Sequence, residues 1–195
     1  MLVCGDPSRF AVKWEATVRS EGYVGGRFAL SIEGHEVGDF SDDGTYLIGC
    51  FCHSLELADR WDDKFEPGLF EMDKLEAFEA LVYPIFGHYY GVEDRVEVYR
   101  NTYGRFHIDS IGMSSMDDFI LLVMKSGQGA TRFIWQAGSG DIHEARFPVG
   151  EVEAVFAEFL AKAEPDVPPG TRAAHYDWRA KNEEALARAK SRRRP

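Results

Sequence analysis

Hydrophobic and polar residues alternate cleanly from Phe10 to Val18. Phe10, Val12, Trp14, Ala16 and Val18 fall on one side, Lys13, Glu15 and Thr17 on the other. The stretch "RFALSIEG" repeats the pattern with Phe28, Leu30 and Ile32. Period-two alternation with one polar face is the mark of antiparallel strands resting on a core. Between the two runs, Gly22, Gly25 and Gly26 supply a turn, because glycine tolerates positive φ. The pattern predicts an N-terminal hairpin.

Beyond it, "HEVGDFSDDG" reads as loop, "TYLIG" as a short strand and "CFCHSLELADRWDD" as a helix with Phe51, Leu55 and Ala58 on one side. In "EMDKLEAFEALVY", Leu75, Phe78, Leu81 and Val82 recur at helical spacing, with Asp73 as N-cap and Pro84 as terminator. A short strand at 95–100 and another over "GRFHID" are expected next. Phe119–Met124 is apolar on both faces, as befits a central strand covered on both sides. Glycine turns at Gly127/Gly129 and Gly138/Gly140 separate it from "ATRFIWQ" and "DIHEARF", giving a β-meander. Val152, Val155, Phe156, Phe159 and Leu160 then place one apolar stripe on a helix bounded by Pro148 and "EPDVPPG".

The prediction is therefore an α+β fold. Its antiparallel sheet has about six strands, the hairpin plus the meander, with three to four helices packed on it. Residues 1–164 form one domain; 165–195 form a linker stiffened by Pro165, Pro168 and Pro169 and a basic tail. The tail reads as a surface helix with a poor apolar stripe (Trp178, Leu186) that frays into solvent.

With 195 residues and 45% hydrophobic composition, the chain can bury one substantial core. Its longest apolar run is far short of the roughly 20 residues a membrane-spanning helix needs. The N-terminus lacks the basic start and apolar run of a signal peptide. A cytoplasmic protein with no membrane partner is expected. Cys4, Cys50 and Cys52 are too few and too oddly spaced for a disulfide framework, so they read as buried, reduced thiols.

Charge changes the picture more. The net value is −11, yet residues 172–195 carry eight basic side chains against three acids, which leaves −16 on residues 1–171. A body this acidic argues against nucleic acid as partner, since each phosphate contact needs a cation. It suits a basic protein, whose encounter it would accelerate. Solubility alone would give the same charge. The terminal "KSRRRP" reads as a solvated tail rather than a nucleic-acid or membrane contact.

"GCFCHS" brings Cys50, Cys52 and His53 together, but a zinc site wants wider cysteine spacing and a second ligand pair. No metal site is expected. A cysteine nucleophile with His107 or His143 as base would give a rival reading, a small hydrolase or transferase using Cys50 or Cys52. His35–Glu36 and His143–Glu144 do not extend to a zinc-protease motif, and no phosphate loop or nucleotide fingerprint is present. No catalytic residue and no cofactor are singled out. The aromatics Trp61, Phe65, Phe70, Tyr89 and Tyr90 lie among carboxylates, the composition of a docking surface that faces a basic partner.

One further pattern stands out. "GDPSRFAV" runs into an alternating strand with a Trp, then "GRFALSIEGHEVGD"; later come "FHIDS", "FILLV", "RFIWQ" and "DIHEARFPVGEVEAVFAEF". Together, from Gly5 to Ala163, these resemble the immunity protein 42 family of bacterial polymorphic-toxin systems. The resemblance lies in order and texture rather than in a catalytic signature, and does not reach the basic tail. It implies a cytoplasmic antitoxin encoded beside a toxin delivered by type VI secretion or cell contact in interbacterial competition. Such a protein binds the toxin's catalytic domain and blocks it, without catalysis or cofactor. The identity of the toxin and the oligomeric state stay open. On that reading the binding residues are Asp39, Asp42, Asp43, Trp61, Asp62, Asp63, Phe65, Glu66, Glu71, Asp73, Tyr89 and Tyr90.

Overall fold

The computed structural model describes residues 1–86 and 104–192. Strands β1 (Leu2–Gly5), β2 (Phe10–Ser20), β3 (Tyr23–Ile32) and β4 (His35–Val37) pair in that order, all antiparallel. β5 (Thr45–Tyr46) pairs with the first half of β3. The hairpin turn is tighter than its glycines suggest: Ser20 pairs with Tyr23, so Glu21 and Gly22 alone make it, with Gly22 at φ +72°. Gly25 and Gly26 sit inside β3 instead, opposite an irregularity between Ala16 and Val18. A Cβ on Gly26 would collide with the Glu15 carbonyl, so the close approach of two backbones explains that glycine. The segment expected to be loop from His35 begins as β4, because Val37 is buried in the core.

Helix α1 (Leu47–Asp59) buries Leu47, Cys50, Phe51, Leu55 and Leu57. Two short helices follow, α2 (Pro67–Glu71) and α3 (Lys74–Phe86). The expected cap is present: the Asp73 carboxylate accepts the Leu75 N–H at 2.9 Å. Pro84 lies inside α3 rather than at its end. The expected strand over "GRFHID" is a 3-10 turn at Gly104–Phe106, after which His107 alone bridges to Leu122; a second 3-10 segment covers Asp109–Met116. Phe106 is drawn into a core beneath it, which an extended strand lying on the sheet edge would not allow. The strand expected at 95–100 lies outside the described residues.

The meander forms as expected, with β6 (Phe119–Lys125), β7 (Thr131–Ala137) and β8 (His143–Phe147) antiparallel in that order. It is a separate sheet, so the α+β fold holds its strands in two sheets rather than one. The two-faced apolar pattern of β6 has its reason here. Leu121 and Val123 enter the large core shared with β1–β4, α1 and α4 (Glu151–Ala163), while Leu122 and Met124 enter a second core under α2 and α3. The meander is thus a middle layer.

α4 buries its whole stripe, Val152, Val155, Phe156, Phe159 and Leu160, each side chain contributing about 1.5–3 kcal/mol. The chain then turns through Glu164–Asp166, where Asp166 accepts the Trp14 indole N–H at 2.9 Å and binds Arg19. α5 (Thr171–Arg192) follows, with its first turns laid on α1: Arg179 pairs with Asp59 at 3.0 Å and Tyr176 donates to the same carboxylate at 3.3 Å.

Candidate docking surface

The chain leaves α1 through a 3-10 turn, Trp61–Lys64, that stands as a ridge between two clefts. Local bonds shape it. The Asp63 N–H donates to the Arg60 carbonyl at 3.0 Å, and the Arg60 guanidinium reaches back to Asp63 at 2.7 Å and Glu56 at 3.3 Å. The exit is fixed by β6: the Glu66 N–H donates to the Lys125 carbonyl at 3.2 Å, and Phe65 bridges to Lys125 in parallel register. Lys125 also holds Asp62 at 3.3 Å and Glu153 of α4 at 3.2 Å.

Trp61 anchors the ridge from below. It is only 6% exposed and packs against Phe156 with ring centres 5.9 Å apart. This corrects the expectation that Trp61 presents itself to a partner: in so short a turn its large apolar ring goes to the core. Of the candidate aromatics among the described residues, Phe70 is buried as well, while Phe65 remains outside, 52% exposed. Asp62 and Asp63 point into solvent beside it. Glu66 pairs with Arg105 at 3.3 Å.

On one flank, a cavity of about 240 Å³ lies between α1, the ridge and residues 104–111, lined by His53, Glu56, Arg60, Lys64, Arg105 and His107 among others. On the other, a cavity of about 340 Å³ lies between α1, the ridge and α4, with Trp61, Phe156, Ala157 and Leu160 on its walls. The first is polar and rich in cations, the second largely apolar. Lys64 is buried, its ammonium donating to the Arg105 carbonyl, and burial pushes its pKa down to about 8. Burial likewise lowers the His53 and His107 pKa values and raises that of Asp109.

The remaining sequence candidates divide. Asp39 accepts both the N–H and the hydroxyl of Ser41, and these bonds hold its pKa low. Asp42 accepts the Ser114 hydroxyl at 2.8 Å, the Gly44 N–H and the Thr45 hydroxyl, with the same effect. Asp43 beside them is exposed. The Asp109–Met116 segment connects the two regions, since its first residues line the polar cleft and its last ones hold the 39–44 loop. Glu71 faces Arg146 of β8 at 3.6 Å, and Asp73 is spent on capping α3. Tyr89 and Tyr90 lie outside the described residues. The sequence did not mark Arg60, Lys64 or Arg105, and marked His53 only beside the cysteines; cations scattered among so many acids leave no pattern, and only the fold gathers them.

Burial raises the pKa of both Cys50 and Cys52, the opposite of what a thiolate nucleophile needs. Among the described residues no group of three or more His, Cys, Asp or Glu could hold a metal ion, and no helix is long and apolar enough to cross a membrane.

The sequence model of the family described as Immunity protein 42 matches residues 1–162. The chain belongs to this family. As an immunity protein 42 member it is an antitoxin, and membership implies a cognate toxin as partner and a non-enzymatic role. Among solved structures it is similar to CdiI from Burkholderia dolosa AUO158, with a TM-score of 0.64 and 14% identity over 83% of this chain and 99% of that one. At that identity the likeness is one of fold. A search of curated proteins finds no match. The family match stops before α5.

Proposed function

We propose that this immunity protein neutralises its toxin in the cytoplasm by covering the toxin's catalytic domain, with the Trp61–Lys64 ridge and its clefts at the centre of the contact. The observation that carries this reading is the ridge itself. Exposed Asp62, Asp63 and Phe65 stand on a turn that is pinned from below by Trp61, so they are presented on a rigid support. Rigid presentation lowers the ordering cost of binding. Two cavities beside the ridge give a partner's side chains somewhere to go. The acidic candidates Asp39, Asp42 and Asp43 extend the same surface through the Asp109–Met116 segment, which suits a basic toxin face. A standard contact buries roughly 800 Å² per partner, a span that such a surface would supply.

The test is binding to the toxin domain encoded next to the immunity gene, with wild-type protein and an Asp62→Lys, Asp63→Lys variant. Wild type is expected to bind tightly and protect cells, and the charge-reversed variant to bind at least 10-fold more weakly while keeping its melting temperature. No association at micromolar concentration, or equal binding by the variant, sinks the proposal.

A further inference from the structure

The whole molecule is acidic, but the cleft beside the ridge is not. Lys64 is 93% buried in the sense that only 7% of it is exposed, and it lines that cleft. Among the described residues its ammonium has one hydrogen-bond partner, the Arg105 carbonyl, although it carries three donors. Among the described residues it forms an ion pair with no carboxylate. Acids around the cleft are committed elsewhere: Glu56 and Asp63 to Arg60, and Glu66 to Arg105. A buried cation without a counter-ion is costly, and interiors normally pair it or neutralise it. Burial is the main cause that pushes its proton off; Arg60 and, least of all, Arg105 act in the same direction, while Asp63 and Glu56 pull against them. His53 and His107 complete the lining, and both are held towards their neutral forms by burial.

We propose that this cleft is a carboxylate-binding site, taking an aspartate or glutamate side chain, or a chain terminus, from the docked toxin and supplying Lys64 with its missing counter-ion. The inference rests on the reading of the ridge as the docking surface and adds a specificity element to it. It also inverts the local electrostatics: the rim attracts a basic face, while the floor selects for one acid on that face. A nucleic-acid phosphate would meet the same cations, but the −16 charge of residues 1–171 repels a polyanion, whereas one carboxylate on a basic protein escapes that repulsion.

The test has two arms. In the first, the free full-length protein with 13C-labelled lysine is titrated by NMR, with N-acetyl-glutamate α-N-methylamide, which carries a single side-chain carboxylate, and, separately, its uncharged analogue N-acetyl-glutamine α-N-methylamide. The acid is expected to raise the Lys64 pKa from about 8 towards the ordinary lysine value, and the amide to leave it unmoved. No response to the acid, or an equal response to both, overturns the proposal, as does a stronger response to a short RNA oligonucleotide. In the second arm, calorimetry with the neighbouring toxin domain at pH 8.5 is run in two buffers of different ionisation enthalpy. Wild type is expected to take up a proton on binding, since the carboxylate restores the charge on Lys64. Lys64→Met is expected to lose that uptake and at least 10-fold in affinity while melting at a higher temperature, because an uncompensated charge has left the interior. Toxin binding without proton uptake, or undiminished in Lys64→Met, overturns the carboxylate site alone. Absence of toxin binding by wild type removes the docking reading, and the first arm then decides the cleft by itself.

Discussion

Arg132 carries more of the fold than any other charged residue among those described. It sits on β7, fully buried, and one guanidinium nitrogen donates to the carbonyls of Leu69, Phe70 and Met72 at 3.0, 3.0 and 2.7 Å. The rest of the fork holds the Glu144 carboxylate. Those three carbonyls close the C-terminal end of α2, so one side chain ties the outer helices to the meander. Arg132→Met would strand all three and leave Glu144 unpaired. It should cost about 3–5 kcal/mol, read as a fall in the urea midpoint, and should weaken toxin binding too, because α2 follows directly from the ridge. A shift below about 1 kcal/mol would mean that water replaces the guanidinium freely. Cys50 and Cys52 stand at the other extreme. With their thiols pushed up by burial, a Cys50→Ala, Cys52→Ala variant should protect cells from the toxin as well as wild type does, measured below its melting temperature. Loss of protection by a folded double variant would revive thiol chemistry.

At the scale of elements, what could be read in advance was whatever repeats with a period. The hairpin, the meander and α4 all announce themselves, because one or both faces of each are apolar over many residues. The misreadings share a cause. Residues 104–109 contain Phe106 and Ile108 at strand spacing, yet the backbone turns between them to send Phe106 into the second core. Gly25 and Gly26 look like turn residues but lie inside β3, where Gly26 admits the close approach of the Glu15 carbonyl. The cleft was unreadable for a deeper reason: His53, Lys64 and Arg105 are brought together by tertiary packing, and no local pattern marks a lysine that will be buried. α5 offers a prediction at this scale. His53 of α1 is half-buried, which disfavours its charged form; Glu56 opposes this, and the nearby His175 of α5 adds to it. Its folded pKa lies below its unfolded one, so the unfolded chain binds the proton more readily and stability falls as pH drops from about 6.5. Melting temperature should therefore decline between pH 7 and 5, and His53→Gln should remove part of that decline. A variant profile parallel to wild type would assign the effect to other groups. Asp59→Ala should release the Arg179 and Tyr176 contacts at a cost of about 1 kcal/mol or less, since the pair is partly exposed. The expected sign is faster hydrogen exchange through the first turns of α5.

For the molecule as a whole, charge is divided along the chain, −16 on residues 1–171 against a basic last stretch. If the toxin face is basic, its association should slow markedly between 50 mM and 500 mM salt, while dissociation changes little. Stopped-flow mixing separates the two rates, and a salt-independent association rate would show that the charge serves solubility alone. The layered build bears on how such a protein can change its allegiance. The ridge sends Trp61 and Lys64 downward, and presents Asp62, Asp63 and Phe65, whose side chains the core does not bury. A new toxin can therefore be matched by rewriting three neighbouring codons, while the strands and helices beneath go on folding as before. The buried lysine is the exception: it is a fixed question that each successive partner must answer with an acid of its own.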